Sequence, residues 1–526
     1  MARLISATSD AIELSLAESE RDLNNIDVSF DGHRVWSLAL PEPDGADDMI
    51  VLEWPSSLRP YLDGSTLLGI ADSSSGHTIA EADVTFSDSG SRTSVQDVRG
   101  RWLAVNKWNR LGPTFEGDQS GIQTRLLESS ARLIADLESW GYPTYIVGGT
   151  LLGAVRNGKL LPHDDDIDLA VLSAGDNAVD VALENLRIEA QLVEAGYVSV
   201  RHSLAHLQVT FFRDDGSTDH YIDIFAGFFF GDLYGQPFAL LGPSITKSDL
   251  VPVSRMTVQG HVFPAPAVPE AWLAFAYGEN WRVPDPSFTF VTPRTTTRRF
   301  TNWFGVFNKS RVYWEKHYEQ FLSRADVRSR HGNSAQFIEM LPQDANVVDI
   351  GSGDGFETEK IAASARRVVG VDYSHEALRL ARENAPENVT YEYLNFNDRL
   401  AVLAFAARII RSRQVWHFNL QYVIQGLSKP DRANVYLFLR QTLRGSSFAY
   451  LSFDTNLPED YARLNPTSWH YPVSWLTAEA ARYGLDVRVL GTGTRASELG
   501  ERATATAVIT RRADTASDDS RESATE

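Results

Sequence analysis

Cysteine is absent from all 526 residues, which excludes disulfides, thiolate metal sites and a thiol nucleophile. Long apolar runs are missing as well. No window reaches the ~18 uninterrupted apolar residues that a membrane span needs, so no integral membrane segment is expected. The opening stretch, MARLISATSDAIELSLAESERD, has no apolar core of signal-peptide length and meets acidic residues at once. Positive charge is scarce: 49 Lys and Arg stand against 69 Asp and Glu, a formal net charge of −20 with a pI near 5.1. That balance works against binding DNA, RNA or an anionic membrane, whose phosphates reward Lys and Arg. Nucleic acid is therefore not an expected partner, and the cytoplasm is the expected location.

What is present describes a globular chain. Hydrophobic residues make up 43% and charged residues 22%, and the length predicts roughly two to four domains. Aromatic residues are plentiful (12 Trp, 18 Tyr, 26 Phe), enough for large cores or for faces that bind carbohydrate.

Three regions and a tail follow from the patterning. Residues 1–114 read as short strands between Asp-Gly and Ser-Gly turns (IDVSF-DG-HRVWSLAL, STLLGIAD, EADVTFSDSGS, RWLAVNKW), an all-β signal that predicts a sandwich. No catalytic constellation lies there, so a packing role is favoured over a binding module. In residues 115–299, SGIQTRLLESSARLIADLESWG has helical apolar spacing and TYIVGG reads as a buried strand ending in a glycine pair. Residues 300–512 alternate helix and strand, the pattern of a parallel α/β sheet. The tail 513–526 is polar, acidic and free of aromatics, and is expected to be disordered.

Within GGTLLGAVRNGKLLPHDDDIDLAV, four carboxylates occupy five positions, Asp164 to Asp168. In an extended chain, residues two apart share a face. Asp166 and Asp168 then lie on one side, with Ile167 and Leu169 packed inward. Carboxylates this close raise each other's pKa unless a cation neutralises them, and Mg²⁺ suits hard oxygen ligands. Asp223 in DHYIDIFAGFFF sits in an apolar strand, where a lone charge is expensive without a partner. The Asp166/Asp168 site is the candidate partner. Gly148, Gly149 and Thr150 end a strand and open a helix, where backbone amides can meet a phosphate. Arg156 and Lys159 follow, placed to neutralise more phosphate charge. Together these are parts of a metal-assisted phosphoryl or nucleotidyl transfer site.

The same stretch resembles the signature of the LicD/fukutin-type phosphotransferases, a branch of the nucleotidyltransferase superfamily. YIDIF, FPAP (263–266) and YGENWRVP (277–284) extend the resemblance across most of the second region. It implies a central α+β nucleotidyltransferase-like domain. The implied reaction moves a phospho-alcohol, of the phosphocholine or ribitol-phosphate type, from a CDP-linked donor to a glycan hydroxyl. It also implies Mg²⁺ or Mn²⁺ on Asp166 and Asp168, with Asp223 as third ligand or as base, and Arg156 in the catalytic group. His163 departs from the aromatic residue frequent there. Any association with membrane-linked glycan intermediates would be peripheral.

In the third region, VVDIGSGDGFETEKIAASARRVVGVDYS places a buried strand before Gly351, Gly353 and Gly355, and a second strand ends in Asp372. Glycines there let a cofactor approach the backbone at a strand's carboxyl end, and a carboxylate can take both hydroxyls of a ribose. VDIGSGDG with GVDYS resembles the first two motifs of class I S-adenosylmethionine-dependent methyltransferases, implying a C-terminal α/β Rossmann-like domain. By that resemblance Gly351 and Gly353 lie under the methionine part of the cofactor. Asp349 is then near its amino group, Asp372 on the ribose, and Asn395 or Asn397 on the adenine side. Acceptor-side candidates are His417, Asp454, His470 and Tyr471.

The combined expectation is a bifunctional enzyme that decorates a cell-surface polysaccharide, with phospho-alcohol transfer in one domain and methylation in the other. Two alternatives are a scaffold protein with an inactive catalytic domain, and phosphoethanolamine transfer followed by N-methylation.

Overall fold

The computed structural model describes residues 3–17, 20, 23–41, 49–106, 109–115, 121–162, 164–285, 288–327 and 332–512. The tail 513–526 and His163 lie outside the described residues. The chain divides into two compact units, Met1–Arg213 with Thr218–Gly305, and Asp214–Ser217 with the residues from Val306 onward.

Period-two patterning builds the start of the first unit. In NIDVSF, Ile26, Val28 and Phe30 are buried and the residues between them less so, as in a strand with one wet face. The strands Arg3–Ala7, Ala11–Ser15 and Met49–Glu53 form one antiparallel sheet. A four-stranded sheet runs in the order His33–Ala39, Asn25–Phe30, Ser65–Asp72, Thr78–Thr85. Both feed one apolar cluster that includes Ile12, Leu52, Phe30 and Ile70. A short hairpin, Leu103–Val105 with Leu111–Pro113, follows, and Thr114 Oγ1 donates to the Pro162 carbonyl at 2.7 Å.

The helix Ile122–Ser139 buries Leu126, Leu127, Ser130, Leu133 and Leu137, a stripe at three- and four-residue spacing that faces the core. Next come the strand Thr144–Ile146, the helix Gly148–Asn157 and the strand Ile167–Leu172, both strands wholly buried. They join a seven-stranded sheet whose main path is Thr144–Ile146, Ile167–Leu172, Thr218–Phe230, His206–Phe212, Val198–Ser203. Within that path only Ile167–Leu172 and Thr218–Phe230 pair in parallel. The expected boundary at 299/300 cuts the helix Arg294–Phe304. Phe300 and Phe304 pack against Phe228, and this apolar anchor carries the first unit on to Gly305.

The second unit is built on a seven-stranded sheet, in the order Val389–Tyr393, Arg367–Asp372, Asn346–Ile350, Trp416–Gln421, Ala449–Asp454, Gly500–Arg511, Leu485–Ser497. The first five are parallel and the last two antiparallel. Val347 and Val348 feed different apolar clusters, because a parallel sheet covered on both faces buries successive residues on opposite sides. The strand order reverses between Asn346–Ile350 and Trp416–Gln421, and a crevice at that switch is where doubly wound sheets take ligands. Among the described residues, no helix is long and apolar enough to cross a membrane.

Candidate active sites

Parallel pairing sets Asp168 directly beside Asp223, so both side chains emerge on one face of the sheet. Asp166 precedes the strand, and a carboxylate oxygen from each of Asp166, Asp168 and Asp223 falls within 4.8 Å of the others. Asp164, Asp165 and Asp166 form a second such group. Ile167 and Leu169 are fully buried, which locks the register and fixes which face the acids take.

Burial comes first among the causes that push the Asp166 carboxyl well above the usual range, and repulsion from Asp168, Asp165, Asp164 and Asp223 adds to it. Asp223 behaves in the opposite way. Burial alone would raise it, but the His206 and His202 imidazoles and a hydrogen bond from Gln208 outweigh that and hold it below the usual range. Gln208 Nε2 donates to Asp223 Oδ1 at 3.1 Å, and His206 Nε2 lies 3.4 Å from the same oxygen. Tyr221 Oη donates to Asp165 Oδ2 at 3.4 Å, and the Tyr277 phenol is raised by burial and then by Asp168 and Asp164. A set of half-buried to buried, hard oxygen donors that repel one another fits a divalent cation of the Mg²⁺ or Mn²⁺ type.

The glycine pair has a different immediate reason from the one its motif suggests. A Cβ on Gly148 would stand 2.0 Å from Asp168 Oδ2, and one on Gly149 would stand 2.2 Å from Asp164 Oδ2. The glycines make room for carboxylates against the start of the helix, where the helix dipole favours negative charge. Thr150, expected on a phosphate, is fully buried, and its Oγ1 accepts from the Asp168 amide at 3.0 Å. Its hydroxyl holds the aspartate strand in place. Arg156, expected in the catalytic group, donates through Nη2 to the carbonyls of Trp281 and Val283. It anchors the YGENWRVP segment through two of its backbone carbonyls. Lys159 is exposed.

The first region reaches this site. Ala104, Asn106, Gly112 and Thr114 line a small cavity of about 20 Å³ together with Asp165, room for little more than one water. The hairpin is thus a neighbour of the acidic loop, which its sequence did not indicate. His206 and Gln208 were also missed, although HLQVTFF carries the same signal that marked Asp223, polar side chains at alternate positions of an apolar strand.

In the second unit, Asp349 is buried at the end of its strand. Its Oδ2 accepts from Thr358 Oγ1 at 2.6 Å and its Oδ1 from Asn419 Nδ2 at 2.7 Å. Burial pushes its carboxyl up to about 6 against the pull of those bonds. The Asp372 carboxylate accepts from the Gly353 amide at 3.0 Å and the Ser374 amide at 2.9 Å, so it braces the glycine loop. Burial still raises its pKa. Gly353 has φ +52, and a Cβ there would lie 2.5 Å from Tyr318 Oη, so the helix Arg311–Glu319 covers the loop. Gly351, with φ +71, packs against Val423.

Asn395 and Asn397, expected on the adenine side, both bond within the protein. Asn395 Nδ2 donates to the Phe307 carbonyl at 2.7 Å, and the Asn397 amide donates to Asn395 Oδ1 at 2.9 Å. Both residues are buried and secure the segment that leads into the domain, satisfying its backbone. The acceptor-side candidates are likewise engaged. Asp454 is held by Arg495 at 2.9 and 2.7 Å. Tyr471 Oη meets Tyr436 Oη at 2.7 Å and Glu479 at 2.9 Å. His417 is buried beside Phe448, opposite Val347 of the strand that leads into the glycine loop, and burial lowers its pKa to about 4. Burial, then Arg502, lowers that of His470.

Comparison with known proteins gives two family matches. Residues 141–268 match the model described as LicD/FKTN/FKRP, nucleotidyltransferase domain, and residues 347–428 match that of a methyltransferase domain. No curated protein matches the chain. A SAM-dependent methyltransferase from Anabaena variabilis is 20% identical, with 38% of this chain and 93% of that one covered, at a TM-score of 0.31. One from Methanosarcina mazei is 12% identical, with 35% and 100% covered, at 0.27.

Proposed function

We infer the activity of this chain from its two family matches: we propose a transferase that joins a LicD/fukutin-type nucleotidyltransferase domain to a methyltransferase domain. The first domain is proposed to move a phospho-alcohol from a CDP-linked donor to a hydroxyl of a cell-surface polysaccharide, working in the cytoplasm. One observation supports this above the others: Asp166, Asp168 and Asp223 bring three carboxylates within 4.8 Å inside the matched segment.

On this reading those three aspartates hold Mg²⁺ or Mn²⁺, which supplies Lewis-acid stabilisation to the donor's phosphates. Thr150 fixes the Asp168 backbone, and Gly148 and Gly149 let the helix start lie against the carboxylates. The donor phosphates would approach the same helix start, with Lys159 free to add charge from the surface. Arg156 holds the YGENWRVP segment beside Tyr277. The acceptor hydroxyl oxygen forms a bond to the alcohol-bearing phosphorus, the bond to the CMP oxygen breaks, and the hydroxyl proton passes to a carboxylate of the cluster.

The second domain is proposed to bind S-adenosylmethionine over Gly351 and Gly353, with Asp349 towards the amino group and Asp372 towards the ribose. Asn419 and Thr358 hold the Asp349 carboxylate in place. The deciding experiment incubates the full-length protein with candidate CDP-alcohols, a glycan acceptor and Mn²⁺, and follows CMP. Metal-dependent CMP release that disappears in Asp168→Asn is expected; release that survives this substitution sinks the proposal.

A further inference from the structure

The neighbouring strand holds the Asp223 carboxylate from one side. Antiparallel pairing sets Gln208 opposite Asp223 and His206 opposite Phe225, which aims both polar side chains along the face that carries the acid. Gln208 Nε2 donates to Asp223 Oδ1 at 3.1 Å. His206 Nε2 approaches that same oxygen at 3.4 Å and is a buried nitrogen with no hydrogen bond elsewhere. The His206 ring is held by the rings of His202 at 4.6 Å and Phe225 at 4.3 Å, and Gln208 is only 8% exposed.

We propose that Gln208 and His206 are positioning residues that occupy Oδ1 of Asp223 and leave one oxygen for a cation, tuning the site for Mg²⁺ and Mn²⁺ against Ca²⁺. The inference rests on the cation site proposed above. Ca²⁺ takes more oxygens and accepts two from one carboxylate, whereas Mg²⁺ demands near-octahedral geometry and single-oxygen contacts. An oxygen that already accepts hydrogen bonds is a poorer second ligand, which disfavours two-oxygen contact. Groups that orient a ligand in this way typically change metal affinity ~10–100-fold when removed.

The test is calorimetric titration of the full-length protein with MnCl₂, MgCl₂ and CaCl₂ in turn, without nucleotide or acceptor. Wild type is expected to bind Mn²⁺ and Mg²⁺ more tightly than Ca²⁺. Gln208→Met, which keeps shape but removes the donor, and His206→Phe should together narrow the Ca²⁺-to-Mn²⁺ ratio of dissociation constants by ~10-fold. His206→Gln, which keeps a donor, should restore much of it. Unfolding midpoints report whether each variant is folded, and either single substitution serves where the pair is not. A ratio unchanged within twofold in a folded variant that still binds Mn²⁺ overturns the clamp and leaves the cation site standing. Absence of Mn²⁺ binding in wild type, or its persistence in Asp166→Asn/Asp168→Asn, overturns the cation site itself and the clamp with it.

Discussion

Asp168 is a buried carboxylate paired in register with a second one, an arrangement too costly for packing alone. Replacing it with Asn should lower CMP release at least ~100-fold, since a first ligand matters more than the residues that orient it. Initial rates across a Mn²⁺ titration would show the loss. The other residue-scale prediction concerns Glu315 on the helix covering the glycine loop. Burial, partly offset by Arg311 and Ser374, raises its carboxyl to about 7 from 4.5. A raised acid binds its proton more tightly in the folded state than in the unfolded one. Its penalty is absent below the unfolded value, grows as pH rises from about 4.5, and is complete above about 7. Glu315→Gln should therefore match wild-type stability near pH 4.5 and exceed it above pH 7, by about 3 kcal/mol at most. Unfolding midpoints of both proteins measured across that range would reveal an opposite slope if the burial is not as described.

At the scale of elements, two strand–glycine–helix connections organise the chain, and they use glycine for different purposes. Gly353 frees its amide for Asp372 and leaves space under Tyr318. Gly148, with φ +59, leaves space for Asp168. Gly148→Ala should cost about 1–3 kcal/mol through the strained backbone and the clash, and it should also abolish Mn²⁺ binding. Gly158→Ala is the control: φ is +64 there, but the nearest atom to a new Cβ is 3.9 Å away. It should lose stability and retain the metal. Loss of Mn²⁺ binding in both variants would assign the effect to the helix as a whole.

For the whole molecule, the two catalytic proposals fall in different compact units, and their activities should separate in the intact chain. Asp168→Asn should remove CMP release and leave S-adenosylmethionine affinity within about twofold, whereas Gly353→Ala should do the reverse. The margin is small because contacts made in separate cores seldom couple. Calorimetric binding and CMP assays on the same preparations measure both, and loss of both functions in either variant would argue against separate sites.

Sequence alone determined the elements whose chemistry is local. Period-two spacing marked the strands around Asp168 and Asp223, since alternate side chains of a strand share a face and the acids fall on one face between apolar neighbours. The glycine loop with Asp372, and the two motifs of the joined domains, were equally legible because short-range backbone geometry dictates residue type there. Only the tertiary structure decided what those residues touch. It turned Thr150 onto the Asp168 amide, Arg156 onto the Trp281 and Val283 carbonyls, and the side chain of Asn395 onto Phe307. It also brought His206 and Gln208 to Asp223. The reason is physical: hydrogen bonds between residues far apart in the chain depend on strand register and helix docking. Those are set by the packing of the whole core, and no local stretch of sequence carries that information.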